Sequence, residues 1–507
     1  MPAQHPVVIG VDSSTQSSKA AVVDATTGAL LAVGRAPHTV TGTGGARESD
    51  PEEWWTALGE AVGRALAEAA VPASAVTGIA VAGQQHGLVV LDASGRPLRP
   101  ALLWNDTRSA PQAAALTDAI DGGAEGWLKR TGSLPVASMT AAKWRWLCEN
   151  EPDVADAAAA VRLPHDFLTE RLSGVAATDP GDASGTCWYS TADQAYDPAL
   201  LDLLGLAPAL LPGVARTAAT RVGTLTPAAA AALGLPATVA VAAGTGDNMA
   251  AAVGLGLGAA GLLDHPVVSL GTSGTVFAAT RTRPAAPGLA GFAAADGTYL
   301  PLGCTLNCTL AVDRFAGLLG LGREDTAPGE GVVVLPYLDG ERTPDLPHAT
   351  GLLTGLRHTT DPRAILGAAY EGAVFTVLRA LDDLLAACGA DPSDPAVRGR
   401  PLRLVGGGAR GRAWTSTVRR LSGRPLVVPA STELVALGAA ALAAGAATGT
   451  DPVAQAAAWG TGDGELLPPL ARDEETWERI AAVLDGAAPP VHPAGPAPAP
   501  TARRWAL

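Results

Sequence analysis

Short apolar runs separated by polar turns open the chain. Residues 7–12 (VVIGVD) read as a buried strand, 13–18 as a polar turn, 19–24 (KAAVVD) as a second strand and, after a Thr-Thr-Gly turn, 29–34 as a third. The arrangement returns later, where 267–270 (VVSL), the loop 271–275 (GTSGT) and 276–280 (VFAAT) again read strand, loop, strand. Two related domains facing each other across a cleft, each lending one loop to the same phosphates, is what this repetition predicts. Chance likeness between two short hairpins is the alternative reading.

Between the repeats, Ser49-Asp50-Pro51-Glu52-Glu53 starts a helix over 50–70, with Trp54 and Trp55 for packing. A buried strand over 76–83 (VTGIAVAG) ends in Gln84-Gln85-His86-Gly87, and 88–92 with 98–104 read as a hairpin leading to Asn105-Asp106-Thr107-Arg108. Residues 110–235 look mainly helical, interrupted by Pro164-His165-Asp166 and by the turn-rich 178–185, whose acids fit either a surface or a pocket. An alternating segment from 239 then breaks at Gly244 and Gly246, so Asp247 and Asn248 fall where a strand gives way to a helix. Later, 332–337 (VVVLPY) runs into Gly340-Glu341-Arg342-Thr343-Pro344, periodicity predicts a long helix over 362–388, and a strand over 402–405 stops at Gly406-Gly407-Gly408 before a helix-prone 411–421.

Composition narrows the function classes. At 507 residues the chain exceeds a single hydrophobic core. A net charge of −14 without any Lys/Arg cluster argues against a nucleic-acid partner. The Ala- and Gly-dominated stretches 248–263 and 434–450 lack the large aliphatic density of a membrane span and read as buried packing helices. With no basic leader followed by an apolar core, the cytoplasm is the expected compartment, and the five scattered cysteines suit reduced thiols. From about 486 onwards the Pro/Ala-rich composition predicts an extended, poorly ordered tail.

Candidate chemistry sits at the strand ends. Asp247, beside glycines that let a substrate approach backbone, suits a base that accepts a hydroxyl proton, or else it caps the following helix. Asp12 ends the first strand and can help hold a hydrated Mg²⁺, while Ser13, Thr15 and Lys19 in the loop SSTQSSK offer groups for phosphate oxygens. Polar residues around Gln85, His86 and Trp104 can line a pocket for a polyhydroxylated ligand, although singly His86 also reads as structural and Trp104 as core. The three glycines at 406–408 let a flat ligand lie on bare backbone, or simply make a tight turn.

Taken together, IGVDSSTQSSK at 9–19, GQQHG at 83–87, LRPALLWNDTRS at 98–109, GTGDNMAAAVG at 244–254, SLGTSGT at 269–275, LPYLDGERTP at 335–344, GGGARGRAW at 406–414 and ELVALGAAALA at 433–443 resemble the FGGY carbohydrate kinases, in the family's order. Within that family they are most similar to members acting on D-xylulose. The resemblance implies an α/β fold of two actin-like (ribonuclease H-like) domains with a central cleft. It implies residues 1–262 as the sugar-binding N-terminal domain, 263–486 as the nucleotide-binding C-terminal domain, and 487–507 as the tail. The implied reaction is ATP-dependent phosphorylation of D-xylulose to D-xylulose 5-phosphate with Mg²⁺, and a homodimer is kept open. By motif match, Asp247 is the implied catalytic base and Asp12 the acid that assists metal and phosphate. Gln85 and His86 fall at the sugar-contact pair with Asn248 beside the base, and Gly271, Thr272, Ser273, Gly274 and Gly406 to Gly408 fall on the nucleotide side. Two departures stand out: Ser14 where relatives commonly have glycine, which bears on the first loop's geometry, and Gln85 where they commonly have methionine, which bears on sugar choice. Glycerol kinases resemble one another in an Arg-Glu pair at this point, and its absence counts against glycerol. A kinase for another ketose or polyol, and a non-catalytic sugar sensor of the same fold, are the competing readings.

Overall fold

The computed structural model describes residues 5–258, 262–344, 346 and 348–486. The expected tail at 487–507 lies outside the described residues. Contacts divide the chain into two compact units. Unit 1 comprises Met1–His265, Ala278–Pro301 and Pro429–Gly464, and unit 2 comprises Pro266–Phe277, Leu302–Val428 and Glu465–Leu507. The units therefore interleave along the chain around the division expected at 262/263, and the Ala-rich helix expected in the second half packs within unit 1.

The sheet of unit 1 contains β1 (Val7–Ser13), β2 (Ser17–Asp24), β3 (Leu30–Pro37), β4 (Val76–Gly83), β5 (Arg221–Thr224) and β6 (Ala240–Ala242), in the order β5-β6-β4-β1-β2-β3, with the short β7 (Thr245–Gly246) also paired to β4. Alternation along β1 explains its two faces. Ile9 and Val11 join Val22, Ile79, Val81, Trp54, Leu58 and Val62 in the core beneath the helix Pro51–Ala69. That helix starts as the sequence predicts, with the Asp50 side chain accepting from Glu52 N. Gly10 faces the other way, against the helix Leu434–Thr448, where a Cβ would stand 1.9 Å from the Ala436 carbonyl oxygen. The Ala/Gly composition of that helix follows, since only small residues let its backbone lie on the sheet.

Unit 2 repeats the core of this topology. Its strands β8 (Val267–Leu270), β9 (Gly274–Phe277), β10 (Tyr299–Thr305), β11 (Leu402–Val405) and β12 (Leu426–Pro429) run in the order β10-β9-β8-β11-β12. In unit 1, β1 pairs antiparallel with the strand after its loop and parallel with β4. In unit 2, β8 pairs antiparallel with β9 and parallel with β11. The repeat is thus topological, and chance likeness between hairpins does not account for it.

One expectation needs amendment. Residues 88–92 and 98–104 do not form a hairpin ladder. Val89–Leu91 pairs with Ala160–Arg162, Ala101–Leu102 pairs with Glu48–Ser49, and the two runs meet each other through the isolated Leu88–Leu102 bridge and a bond from Leu98 N to Val90 O. Each short strand finds a longer-range partner that completes its hydrogen bonds. The helix Pro362–Ala387 is long and apolar enough to cross a membrane, yet its apolar window is 89% buried: its own Phe375, Leu381 and Leu385 are buried side chains, and it packs against the strand Val333–Leu335. It is the core helix of unit 2.

Candidate active site

In unit 1, three strand ends lie side by side. β1 sets Asp12 opposite Ala82 and Ser13 opposite Gly83, and β7 sets Thr245 and Gly246 against the same two residues. The segments that follow, namely the loop after Asp12, Gln84 to His86, and Asp247 with Asn248, leave the sheet at one level. Carboxyl ends of parallel strands are where α/β folds gather their ligand groups. The sequence-predicted residues Asp12, Gln85, His86, Asp247 and Asn248 are therefore brought together.

Gly246 takes the N-cap of the helix Asp247–Gly254 without a side-chain cap bond, so Asp247 is its first helical residue and the capping alternative does not describe it. Its Oδ1 accepts from Asn248 N at 2.8 Å. Asp247 and Asn248 are half-buried, and the Asn248 Nδ2 is buried without a hydrogen-bond partner. Removal from water, reinforced by the nearby charges of Asp12 and Asp182, pushes the Asp247 carboxyl up to about 7.

Asp12 is 3% exposed and accepts from the Ser14 hydroxyl at 2.5 Å. Burial raises its carboxyl above the ordinary range, opposed by the Ser14 bond and by Lys19. Lys19 Nζ stands 3.5 Å from Asp12 and 2.9 Å from Glu433. Ser14, the departure from glycine, thus bonds the first acid directly. Ser13 is buried, with its hydroxyl 3.4 Å from that of Ser18, and its carbonyl accepts from Gln84 N, while Thr15 Oγ1 accepts from Trp104 Nε1 at 3.0 Å. Trp104 lies on the first loop with 45% of its surface exposed, so it is not the core residue of the alternative reading.

Glycines make room for Gln85 and His86. Gln85 lies over Gly246, where a Cβ would meet Gln85 Cγ at 2.6 Å. His86 adopts a left-handed backbone, φ 64°, with its ring against Phe292 at 5.5 Å between centroids. A Cβ on Gly185 would come within 2.3 Å of that ring's Nδ1 and Cε1.

Sequence reasoning left the acids of 178–185 undecided, and they are buried in the site's wall. His165, Asp166, Asp179 and Asp182 are each 1% exposed or less. Asp182 Oδ2 is 2.6 Å from His165 Nδ1, Asp166 Oδ1 is 3.2 Å from His165 Nε2, and Asp179 accepts from Thr245 Oγ1 at 2.8 Å. Burial pushes Asp182 up to about 8 and Asp166 and Asp179 to about 6. Glu433 was also missed as an individual residue. Its motif was legible, but its partner, Lys19, lies far away in sequence.

In unit 2, β8 and β11 are parallel neighbours, with Ser269 opposite Val405, so the loop from Gly271 and the turn at Gly406 to Gly408 emerge together. Gly406, at φ 90°, passes so close to Leu270 that a Cβ would meet its carbonyl oxygen at 2.6 Å. Gly271 N donates to Ser273 O at 3.1 Å, and Gly271 O accepts from Thr309 N at 3.0 Å and from its Oγ1 at 2.7 Å. Glu341 braces this region by accepting from Leu306 N, from Asn307 Nδ2 and from the backbone N of Arg342. Thr272 and Gly407 are exposed, which leaves backbone at both turns open to a ligand.

The chain matches the FGGY family of carbohydrate kinases, its N-terminal domain over residues 7–254 and its C-terminal domain over 267–447. It belongs to that family, whose reaction uses ATP as phosphoryl donor. Among individual relatives it is 57% identical over 489 residues to the xylulose kinase of Streptomyces rubiginosus, spanning 96% of this chain and 98% of that protein. The crystal structure of xylulose kinase from Bifidobacterium adolescentis superposes with a TM-score of 0.79 at 33% identity, covering 95% of this chain and 99% of that one. That from Rhodospirillum rubrum gives 0.84 at 26% identity, covering 96% and 99%. The α/β architecture of two actin-like domains is the fold these structures share with it.

Proposed function

We propose that this chain phosphorylates D-xylulose to D-xylulose 5-phosphate at the expense of ATP, with Asp247 taking the proton of the reacting hydroxyl. The observation that carries the reading is the convergence of Asp247, Asp12 and the Gln85–His86 pair at three adjacent strand ends. Extensive identity to xylulose kinases supports the choice of sugar. A sugar hydroxyl is far less acidic than a carboxylic acid, so no free alkoxide forms. As the sugar oxygen bonds to the γ-phosphorus and the bond to the ADP oxygen breaks, the hydroxyl proton passes to Asp247. Asn248 Nδ2, Gln85 and His86 orient hydroxyls, Lys19 neutralises phosphate charge, and the loop Gly271 to Gly274 with Gly406 to Gly408 holds the nucleotide through backbone.

Among the described residues no group of three or more His, Cys, Asp or Glu would hold a metal by protein ligands alone. A single buried carboxylate, Asp12, fits Mg²⁺, which keeps several waters and shares its remaining positions with phosphates. Bound there, the ion would offset the charge on the transferring phosphoryl group.

A coupled assay of ADP release over D-xylulose, other pentuloses, pentitols and glycerol tests the substrate assignment. The largest kcat/KM is expected on D-xylulose. A preference for another sugar would favour the second reading, a related ketose or polyol kinase, which the polar Gln85 in the contact pair keeps in view.

The electrostatics give a pH prediction. Asp247 acts ionised, and in the free protein its carboxyl stands at about 7, so kcat/KM should fall roughly tenfold per unit as pH drops below that value. Asp12→Asn removes a like charge that raises it, so the acid limb should move to lower pH even as the overall rate falls. A limb that stays in place separates Asp12 from the titration. A second prediction concerns Gly185→Ala, where the added methyl displaces His86. KM for the sugar should rise about tenfold or more, as a clash of about 1–3 kcal/mol implies. An unchanged KM would remove His86 from the sugar contact.

A further inference from the structure

Trp104 has no part in the chemistry described above, and its surroundings are unusual for an indole. It exposes 45% of its surface, yet the segment that carries it is well held. Leu103 N donates to Arg47 O at 3.0 Å, and the Asp106 carboxylate accepts from Arg47 N at 2.8 Å and pairs with Arg108 at 2.7 Å. The Arg108 guanidinium also pairs with Glu48 and lies over the Trp146 ring at 4.5 Å. From this base the indole reaches the first loop, where its Nε1 donates to Thr15 Oγ1 at 3.0 Å. The bonds from Ser14 N to Ser17 O, from the Ser14 hydroxyl to Asp12 and from His38 N to Gln16 O shape the loop without using the Thr15 side chain. An indole N–H only donates, whereas a hydroxyl has one proton and two lone pairs. With one lone pair taken by Trp104, and with no acceptor for its own O–H among the described residues, Thr15 keeps a proton to give.

We propose that Trp104 is a positioning residue for the phosphate side of the site: its indole N–H fixes the Thr15 hydroxyl as a donor, and that hydroxyl bonds a phosphoryl oxygen of ATP. Ionised phosphate oxygens only accept, so a hydroxyl already engaged as an acceptor is set up to meet them. Lys19, on the strand after the loop and 3.5 Å from Asp12, offers positive charge to the same ligand. Because the N–H edge of the indole is committed to Thr15, what Trp104 can present to a sugar is its apolar face. This rests on the assignment of the first loop to phosphate.

Steady-state kinetics of the full chain, with each substrate varied in turn, test it. Neither residue is fully buried, so the replacements leave the core intact. Thr15→Val keeps the shape and removes the hydroxyl, and kcat/KM for ATP should fall about 10- to 100-fold, as for a lost bond to a charged group. Thr15→Ser should recover most of that loss. Trp104→Phe keeps an aromatic face and loses the N–H. Its kcat/KM for ATP should fall about 3- to 10-fold, while KM for D-xylulose stays within about threefold. The double variant decides between roles: it should be no worse than Thr15→Val alone, because the indole acts only through that hydroxyl. Additive losses, the mark of a general structural role, overturn the proposal. So does a raised sugar KM in Trp104→Phe with its use of ATP unchanged, which would make the indole a sugar contact instead. If Thr15→Val uses ATP as wild type does, the phosphate assignment of the loop has failed and the proposal with it. If Thr15→Val is impaired and Trp104→Phe is not, only the positioning step has failed.

Discussion

Asp247→Ala is expected to lower kcat about 10²- to 10⁴-fold, the range for a lost general base, with KM for the sugar changing far less. The geometry supports a split of this kind. Gln85, His86 and the Asn248 amide are the proposed sugar contacts, and the Asp247 carboxylate bonds Asn248 through its backbone N, at 2.8 Å, rather than through that amide. What the substitution removes is the proposed proton acceptor. Asp247→Asn sharpens the test, because it keeps the shape and loses the basicity, and it should fall nearly as far. If both variants turn over at the wild-type rate, Asp247 has no part in the chemistry. A large rise in sugar KM with kcat preserved would instead make it a binding residue.

Gly438→Ala should destabilise the protein by about 3 kcal/mol, the upper end for overpacking, and lower Tm by about 6–12 °C. The direction is diagnostic, since Gly to Ala inside a helix ordinarily stabilises. Here the added Cβ would lie 1.8 Å from the Ala250 carbonyl oxygen. The contact is reciprocal, because a Cβ on Gly254 would lie 2.1 Å from the Leu434 carbonyl oxygen. Backbone thus meets backbone where the helix that begins with Asp247 crosses the helix that follows Glu433, so activity should fall together with stability. A thermal melt with Tm at or above wild type would contradict this packing.

Much of the site is legible in the sequence because its parts are local. Each strand end is announced by an apolar run that stops at glycine or at an acid, as at Asp12, Gly83 and Gly246, and the repeated strand-loop-strand pattern points to two similar units. The helix Pro362–Ala387 follows from periodicity alone. What escapes is whatever depends on pairing across sequence distance. The acids at 179 and 182 sit among turn-forming residues that suit an exposed loop equally well, and only the fold, by placing His165 beside them, identifies them as part of the wall. Glu433 likewise acquires meaning only once Gly10 lets its helix lie on β1 and bring the carboxylate to Lys19. The misread hairpin at 88–104 has the same origin, because short strands take their partners from elsewhere in the fold.

Incubation of the wild-type chain with Mg-ATP and D-xylulose, followed by phosphorus NMR of the mixture, addresses the account at its centre. Equimolar ADP and a phosphate monoester on the C5 hydroxyl are expected, formed by wild type and nearly absent with Asp247→Asn. ADP released at the same rate without sugar, or no sugar ester at all, would contradict it.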